Sequence, residues 1–136
     1  IKTQFYDFLF LSIFYPAPLI LLKACEEANV ETEVILFNYE QNLEENTFVL
    51  EFNVKHTNKS NFPVNGFSRI EIKNIGDSFS YIFWRESREI YCETIAPGEV
   101  CLDTFYNSGE LGSPDMYGPD GPPMIELVSA TYVLYP

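Results

Sequence analysis

Apolar and polar residues alternate along several short stretches of this chain. The clearest stretch is Thr47–Lys55, in which every second residue is a large apolar one: Phe48, Leu50, Phe52 and Val54. A period of two places alternate side chains on opposite faces of an extended chain, so this stretch is predicted to be a half-buried strand. The same period recurs at Ser68–Asn74, where Ile70 and Ile72 alternate with charged residues.

Seven such strands are predicted after residue 30, separated by turn signals such as Asn74-Ile75-Gly76-Asp77 and Ala96-Pro97-Gly98-Glu99. No amphipathic helix is expected between them, so the pattern predicts an all-β, two-sheet antiparallel β-sandwich. The predicted strands are Val34–Phe37, Thr47–Lys55, Ser68–Asn74, Ser80–Arg85, Arg88–Thr94, Val100–Tyr106 and Met124–Tyr135.

The N-terminal part follows a different pattern. Lys2 precedes an apolar run, Phe8–Leu22, that ends in Ala24 and Cys25, which is the order of charged start, apolar middle and small-residue cleavage site in a signal peptide. We therefore expect three parts: a hydrophobic export or anchor segment at 1–24, an acidic tether at 25–29, and one sandwich domain at 30–136. A buried core helix or strand pair holding the same run is the alternative.

The residues Leu22-Lys23-Ala24-Cys25 resemble the lipobox of bacterial lipoprotein precursors. The resemblance implies that Cys25 carries the lipid and becomes the first mature residue. Glu26 and Glu27, directly after it, resemble the export signal of some surface-exposed lipoproteins.

Charge narrows the possible partners. The chain has 8 Lys and Arg against 20 Asp and Glu, a formal net charge of −12. Binding to nucleic acid needs clustered cations that displace counterions from phosphate, so a nucleic-acid partner is excluded. Docking of the domain surface on an anionic lipid face is disfavoured for the same reason, which leaves the N-terminal segment as the expected membrane contact.

Cysteine spacing suggests an oxidising compartment. With Cys25 assigned to lipid, Cys92 and Cys101 remain as a pair on either side of the Ala96–Pro97 turn. A chain that reversed at this turn would bring the two residues opposite each other on antiparallel strands, so we expect a disulfide, as exported proteins permit. Two free core thiols in a cytosolic protein are the alternative.

A second resemblance concerns the fold. Arg69-Ile70-Glu71-Ile72-Lys73-Asn74-Ile75-Gly76, followed by Ile95-Ala96-Pro97-Gly98-Glu99, is similar to the layout of immunoglobulin-like adhesion modules and archaeal pilin head domains. The resemblance implies an Ig-like sandwich from families that mostly bind, space or polymerise. Fold alone does not establish function, so it transfers only an expectation.

Few residues suggest catalysis, and no catalytic residue, metal or cofactor is expected. His56, the single histidine, continues the inward series of its strand, so a packing or surface role at a strand end is favoured over a general base. Asn58-Lys59-Ser60 matches the sequon for N-glycosylation, but a three-residue pattern of this kind is frequent by chance.

The Gly-, Pro- and Asp-rich stretch 107–123 is predicted to be a long loop and the place where the domain meets its partner. Its expected contacts are Met116 and Tyr117 together with Asp115 and Asp120. A calcium site on the two aspartates and a connector without a role are the alternatives.

These features together predict a cell-envelope or surface-anchored lipoprotein with a non-catalytic interaction domain. The expected partner is a protein or glycan at the cell surface. The alternative is a subunit of an extracellular filament or pilus that keeps its N-terminal segment and packs it against copies of itself.

Overall fold

The computed structural model describes residues 26–83, 91–113 and 120–136. This part of the chain forms seven β-strands and no helix, and it therefore holds no helix that could cross a membrane. The strands are β1 (Val30–Asn42), β2 (Thr47–Asn58), β3 (Val64–Asn74), β4 (Tyr81–Ile82), β5 (Thr94–Ile95), β6 (Val100–Glu110) and β7 (Ile125–Leu134).

The strands form two antiparallel sheets. One sheet has the order β1-β2-β6, and in the other β3 is flanked by β7 on one side and by β4 and β5 on the other. In an immunoglobulin-type sandwich, strand E lies beside strand B and strand F lies beside strand C. The same arrangement is seen here, with β6 beside β2 and β7 beside β3. The predicted all-β, Ig-like two-sheet sandwich is confirmed.

β2 carries the centre of the core, as its alternation predicts. Its even-numbered residues from Leu50 to Asn58 are buried, and its odd-numbered residues are partly exposed. Phe52 and Val54 pack between the sheets against Ile70 and Ile72 of β3. An aromatic group extends this core, because Phe52 lies 5.3 Å from Phe105 and 5.5 Å from Phe83 between ring centroids.

β4 and β5 are two pieces of one line of pairing along β3. Glu71 and Ile72 pair with β4, and Val64 and Asn65 pair with β5, both antiparallel. Between these pairs, Phe83 N donates to Ile70 O and Ser68 N donates to Tyr91 O. The predicted strand Arg88–Thr94 is therefore wrong in its described part: Tyr91 and Cys92 form a turn, and the strand is Thr94–Ile95.

Several strands are longer than their apolar patterns. β1 extends well beyond Val34–Phe37, and β3 begins at Val64, four residues before its predicted start at Ser68. β6 continues through Asn107–Glu110, which were assigned to the long loop. The backbone ladder with β2 imposes this extension, because Asn107 pairs with Leu50 and Glu110 with Thr47 although neither side chain favours a strand.

Two glycines are required where the chain turns or packs closely. In the predicted turn Ala96–Glu99, Glu99 N donates to Ala96 O and Gly98 has φ +73°, which is the type II conformation with Pro97 at its second position. At Gly66, a Cβ atom would lie 2.1 Å from Val133 O. β3 and β7 can approach as they do only because this position lacks a side chain.

Candidate binding surface

His56 lies fully buried between the sheets in a group of polar side chains. Its Nδ1 is 2.9 Å from Thr32 Oγ1, and its Nε2 is 2.8 Å from Ser68 Oγ. Both ring nitrogens are thus occupied by hydroxyl groups of β1 and β3. The histidine is a packing residue that ties the two sheets together.

The charge of His56 is set by two opposing effects. Burial lowers the pKa of the imidazole below its ordinary value, and the nearby carboxylate of Asp103 opposes that change. Asp103 is itself buried, on the inward face of β6. A serine, a histidine and an aspartate therefore come together here, but the group that contacts Nδ1 is the hydroxyl of Thr32 and the imidazole is shielded from solvent. This arrangement does not suit a nucleophilic triad, which needs an exposed nucleophile and a carboxylate on Nδ1.

Cys92 and Cys101 form a disulfide, with their Cα atoms 5.8 Å apart. The bond was predicted, but the geometry behind the prediction is wrong. β5 pairs with β3, and β6 pairs with β2, so the chain crosses from one sheet to the other at the Ala96–Glu99 turn instead of forming a hairpin. The disulfide consequently joins the two sheets at one end of the sandwich.

Asn58 of the sequon is fully buried. Its Nδ2 donates to Phe62 O and to Ile95 O, and its Oδ1 accepts from Ser60 N. The amide therefore organises the β2–β3 connection and the start of the crossover. It is inaccessible to glycosylation in the folded domain.

Three of the four expected contact residues of the predicted binding loop, Asp115, Met116 and Tyr117, lie outside the described residues. The predicted lipid anchor, Cys25, lies outside them as well. Asp120 is described and exposed. Beyond it, Pro123 O accepts hydrogen bonds from Gln41 Nε2 at 2.7 Å and from Tyr39 Oη at 3.2 Å, which fastens the returning chain to β1. Within the described ranges no cluster of three His, Cys, Asp or Glu could hold a metal ion.

The outer face of the β1-β2-β6 sheet is the most distinctive surface of the described residues. The side chains of Glu51, Asn53 and Lys55 on β2 point away from the core. Residues that pair directly across a sheet point to the same face, so their partners on β1 and β6 also belong to this face. We call it the outer face. Its β1 and β6 members are Glu31, Glu33, Leu36, Asn38, Glu40, Val100, Leu102, Thr104, Tyr106, Ser108 and Glu110.

A row of apolar side chains runs along β6 on the outer face. Val100 and Leu102 are each 52 % exposed, and Tyr106 is 65 % exposed. Leu36 on β1 is also exposed, and Asn53 of β2 lies between it and Thr104 of β6. The inward positions of the same strand are Cys101, Asp103, Phe105 and Asn107, so β6 turns its more apolar series toward solvent.

Acidic groups surround this row. Glu51 lies directly opposite Tyr106, and Glu110 lies at the end of β6. Neither these two nor Glu40 forms an ion pair with another described residue. Lys55 also lies on the outer face, but it pairs with Glu33, whose hydrogen bond and charge raise the pKa of the lysine. The outer face is therefore apolar along β6 and negatively charged around it.

The two edges of this sheet differ. β1 has an irregular register between Val34 and Leu36, which is a β-bulge of the kind that discourages pairing with another chain. β6 pairs with β2 in an unbroken register over Val100–Glu110, and no described strand pairs with its other side. It contains no proline or lysine. The far side of β6 is consequently an open edge among the described strands.

Comparisons with known proteins add little to this picture. Neither a protein-family model nor a curated protein matches the chain. Among solved structures, the crystal structure of a Bordetella pertussis protein described as ApaA is similar, with 15 % sequence identity and a TM-score of 0.39. The match covers 80 % of this chain and 95 % of that chain. A likeness at this level carries no argument about function.

Sequence reasoning missed most of the outer face. Leu102, Tyr106 and Glu51 are predicted only as strand residues, and Glu110 lies in the predicted loop 107–123. The signal was present in β6, where both alternate series contain apolar residues. Only the register with β2 decides which series faces solvent.

Proposed function

We propose that this chain is an exported, surface-anchored lipoprotein whose β-sandwich domain binds a partner and performs no catalysis. The observation that carries the proposal is the Cys92–Cys101 disulfide between the two sheets. Disulfides form and persist in oxidising compartments and are rare in cytosolic proteins. Export to an oxidising compartment would therefore allow the disulfide between the two sheets to form and persist.

Anchoring rests on the lipobox-like residues before Cys25. The first strand begins at Val30, so the acidic residues Glu26 and Glu27 lie between the proposed lipid and the folded domain. A short acidic tether would be repelled by an anionic membrane surface and would hold the domain away from it.

The non-catalytic role is supported by the surroundings of His56. Both of its ring nitrogens contact hydroxyl groups, and the side chain is buried. The proposed partner is a protein or a glycan at the cell surface. The loop after β6, with Met116 and Tyr117, is proposed to add contacts to it.

A filament or pilus subunit is the alternative function. In that case Phe5–Leu22 is retained and packs between copies of the chain. The net charge of −12 works against close packing of sandwich domains, so the apolar segment would supply most of the contact.

Cell fractionation with a Cys25→Ser variant tests the anchor. The wild-type chain is expected in the membrane fraction and in the detergent phase after phase separation. The variant should leave the detergent phase, because a serine cannot form the thioether that holds the lipid. Equal partitioning of the two chains would contradict lipid anchoring at Cys25, and a Cys92→Ser variant is the matched control for loss of a cysteine elsewhere.

A further inference from the structure

We propose that the outer face and the open edge of β6 bind an extended, positively charged segment of a partner protein, which adds to the sheet as a strand beside β6. The inference deepens the proposed binding role by naming its surface and the chemistry of its partner. It rests on that role, but it does not depend on the lipid anchor.

The backbone supplies the first part of the site. An edge strand presents a row of N–H and C=O groups, and an extended peptide can satisfy them by joining the sheet. β6 runs over Val100–Glu110, and every second residue of this strand directs its N–H and C=O groups away from β2. Its register with β2 has no bulge, and the disulfide at Cys101 fixes one end of the strand. The opposite edge strand, β1, carries a bulge and would accept an added strand less readily.

The side chains supply the second part. On the outer face, Leu102 and Tyr106 are separated by Thr104, so alternate residues of an added strand would lie beside them. Apolar side chains at those positions would cover the exposed row. An arginine beside Tyr106 would lie over the phenol ring and point toward Glu51, which combines a cation–π contact with an opposite charge.

Charge selects the kind of partner. Glu40, Glu51 and Glu110 lie around the row without ion pairs to described residues, and the whole chain carries −12. A second copy of the chain would bring these carboxylates against one another, which is unfavourable. A basic segment would neutralise them, and like-charged or acidic segments would be rejected by the same groups.

The test uses a designed probe and the full 136-residue chain. The probe is a capped octapeptide in which threonine alternates with arginine or valine, so that one face is both basic and apolar. Two matched probes separate the sources of binding. One has glutamate in place of arginine, and the other keeps the basic sequence but has methylated backbone nitrogens along its strand-pairing edge.

The readouts are titration by fluorescence anisotropy and mapping by amide hydrogen exchange. The basic probe should bind and should protect amides within Val100–Glu110. The acidic and N-methylated probes should bind about tenfold more weakly or not at all. Binding should weaken at high salt, since exposed charges are screened.

Two variants and their controls locate the site. Leu102→Thr and Glu51→Gln should each weaken the basic probe roughly three- to tenfold, which corresponds to about 0.7 to 1.4 kcal/mol. Val128→Thr on β7 and Asp77→Asn after β3 make the same chemical changes on exposed residues away from the outer face. These controls should leave the affinity unchanged.

Several results would overturn the inference. Failure of the basic probe to bind, equal binding of the N-methylated probe, or equal binding of the acidic probe would each exclude recognition by strand addition and charge. Equal losses of affinity in the control variants would show that the basic probe binds wherever there is a negative charge or an exposed apolar residue, and not at the outer face. Protection of β6 on self-association of the chain alone would assign the edge to a second copy. None of these results affects the partitioning test at Cys25, so failure of this inference is distinguishable from failure of the anchor.

Discussion

At the scale of single residues, the inward polar positions are what the sequence pattern could not reveal in full. The alternation in β2 predicts that His56 continues the buried series, and the structure places it there. The pattern does not predict its partners, because Thr32 and Ser68 come from β1 and β3 and meet the ring only through the sandwich topology. Asp103, buried in β6, was equally hidden, since an isolated acidic residue normally indicates an exposed position.

The buried imidazole makes folding stability depend on pH. The pKa of His56 is lowered in the folded protein by burial. The unfolded chain therefore binds a proton near pH 6.5, the ordinary histidine pKa. The folded chain binds this proton only at a lower pH. The histidine contribution to stability is fully present above pH 6.5 and is lost as pH falls from there toward the folded pKa.

Comparison with a His56→Gln variant isolates this contribution. The difference in unfolding free energy between wild type and variant should shrink as the pH is lowered from about 7.5 to about 5.5, an interval that spans the ordinary histidine pKa. Denaturant titration measures it, and the proton NMR signal of the single histidine should titrate below pH 6.5 in the native state. A folded-state pKa at or above the ordinary value would contradict the assignment.

At the scale of elements, apolar periodicity found the strands that fill the core and failed where pairing alone maintains a strand. β2 and most of β3 were predicted because one face of each is apolar and the other polar. The end of β6 and the ends of β1 were missed because their strand conformation comes from ladder hydrogen bonds with β2. The pieces β4 and β5 were misread because their shared neighbour, β3, cannot be inferred from local sequence.

Replacement of the loop after β6 tests whether that element is separable from the fold. Leu111 N, just after β6, donates to Asn46 O, and Gln41 Nε2 of β1 donates to Pro123 O. The two ends of the loop therefore lie at opposite edges of the β1-β2-β6 sheet. Crossing two strand spacings takes about 10 Å, and a four-residue extended linker spans about 13 Å.

Replacing Gly112–Gly121 with a Gly-Ser-Gly-Ser linker should therefore preserve cooperative thermal unfolding and the β-sheet circular-dichroism signal. Loop length changes closure entropy only slowly, so the loss in stability should stay near 1 kcal/mol or below. The variant is expected to lose capture of the natural partner. Loss of cooperative unfolding would make the loop structural, and unchanged capture would leave it without the proposed role.

At the scale of the whole molecule, the disulfide connects the two sheets at the end where the chain crosses between them. It encloses a short segment, with a sequence separation of 9 residues. In the chain-entropy account, such a loop contributes about 2.5 kcal/mol by restricting the unfolded chain. Removing it with Cys92→Ser and Cys101→Ser together should lower the unfolding free energy by about that amount.

Denaturant titration of the oxidised wild type and the double variant measures this loss. The single Cys25→Ser variant serves as a control that leaves the disulfide intact. A change well below 1 kcal/mol would mean that the bond contributes little to the folded domain, and it would remove the structural reason for export.

The central claim is that the chain works as a disulfide-bonded, lipid-anchored domain outside the cytoplasm. Intact-mass measurement of the native protein, extracted from membranes without reductant, tests it in one experiment. The account predicts a chain that begins at Cys25, carries a lipid adduct, and is two hydrogen atoms lighter than its reduced form. A mass that includes residues 1–24 without lipid, or that corresponds to two free thiols at Cys92 and Cys101, would contradict it.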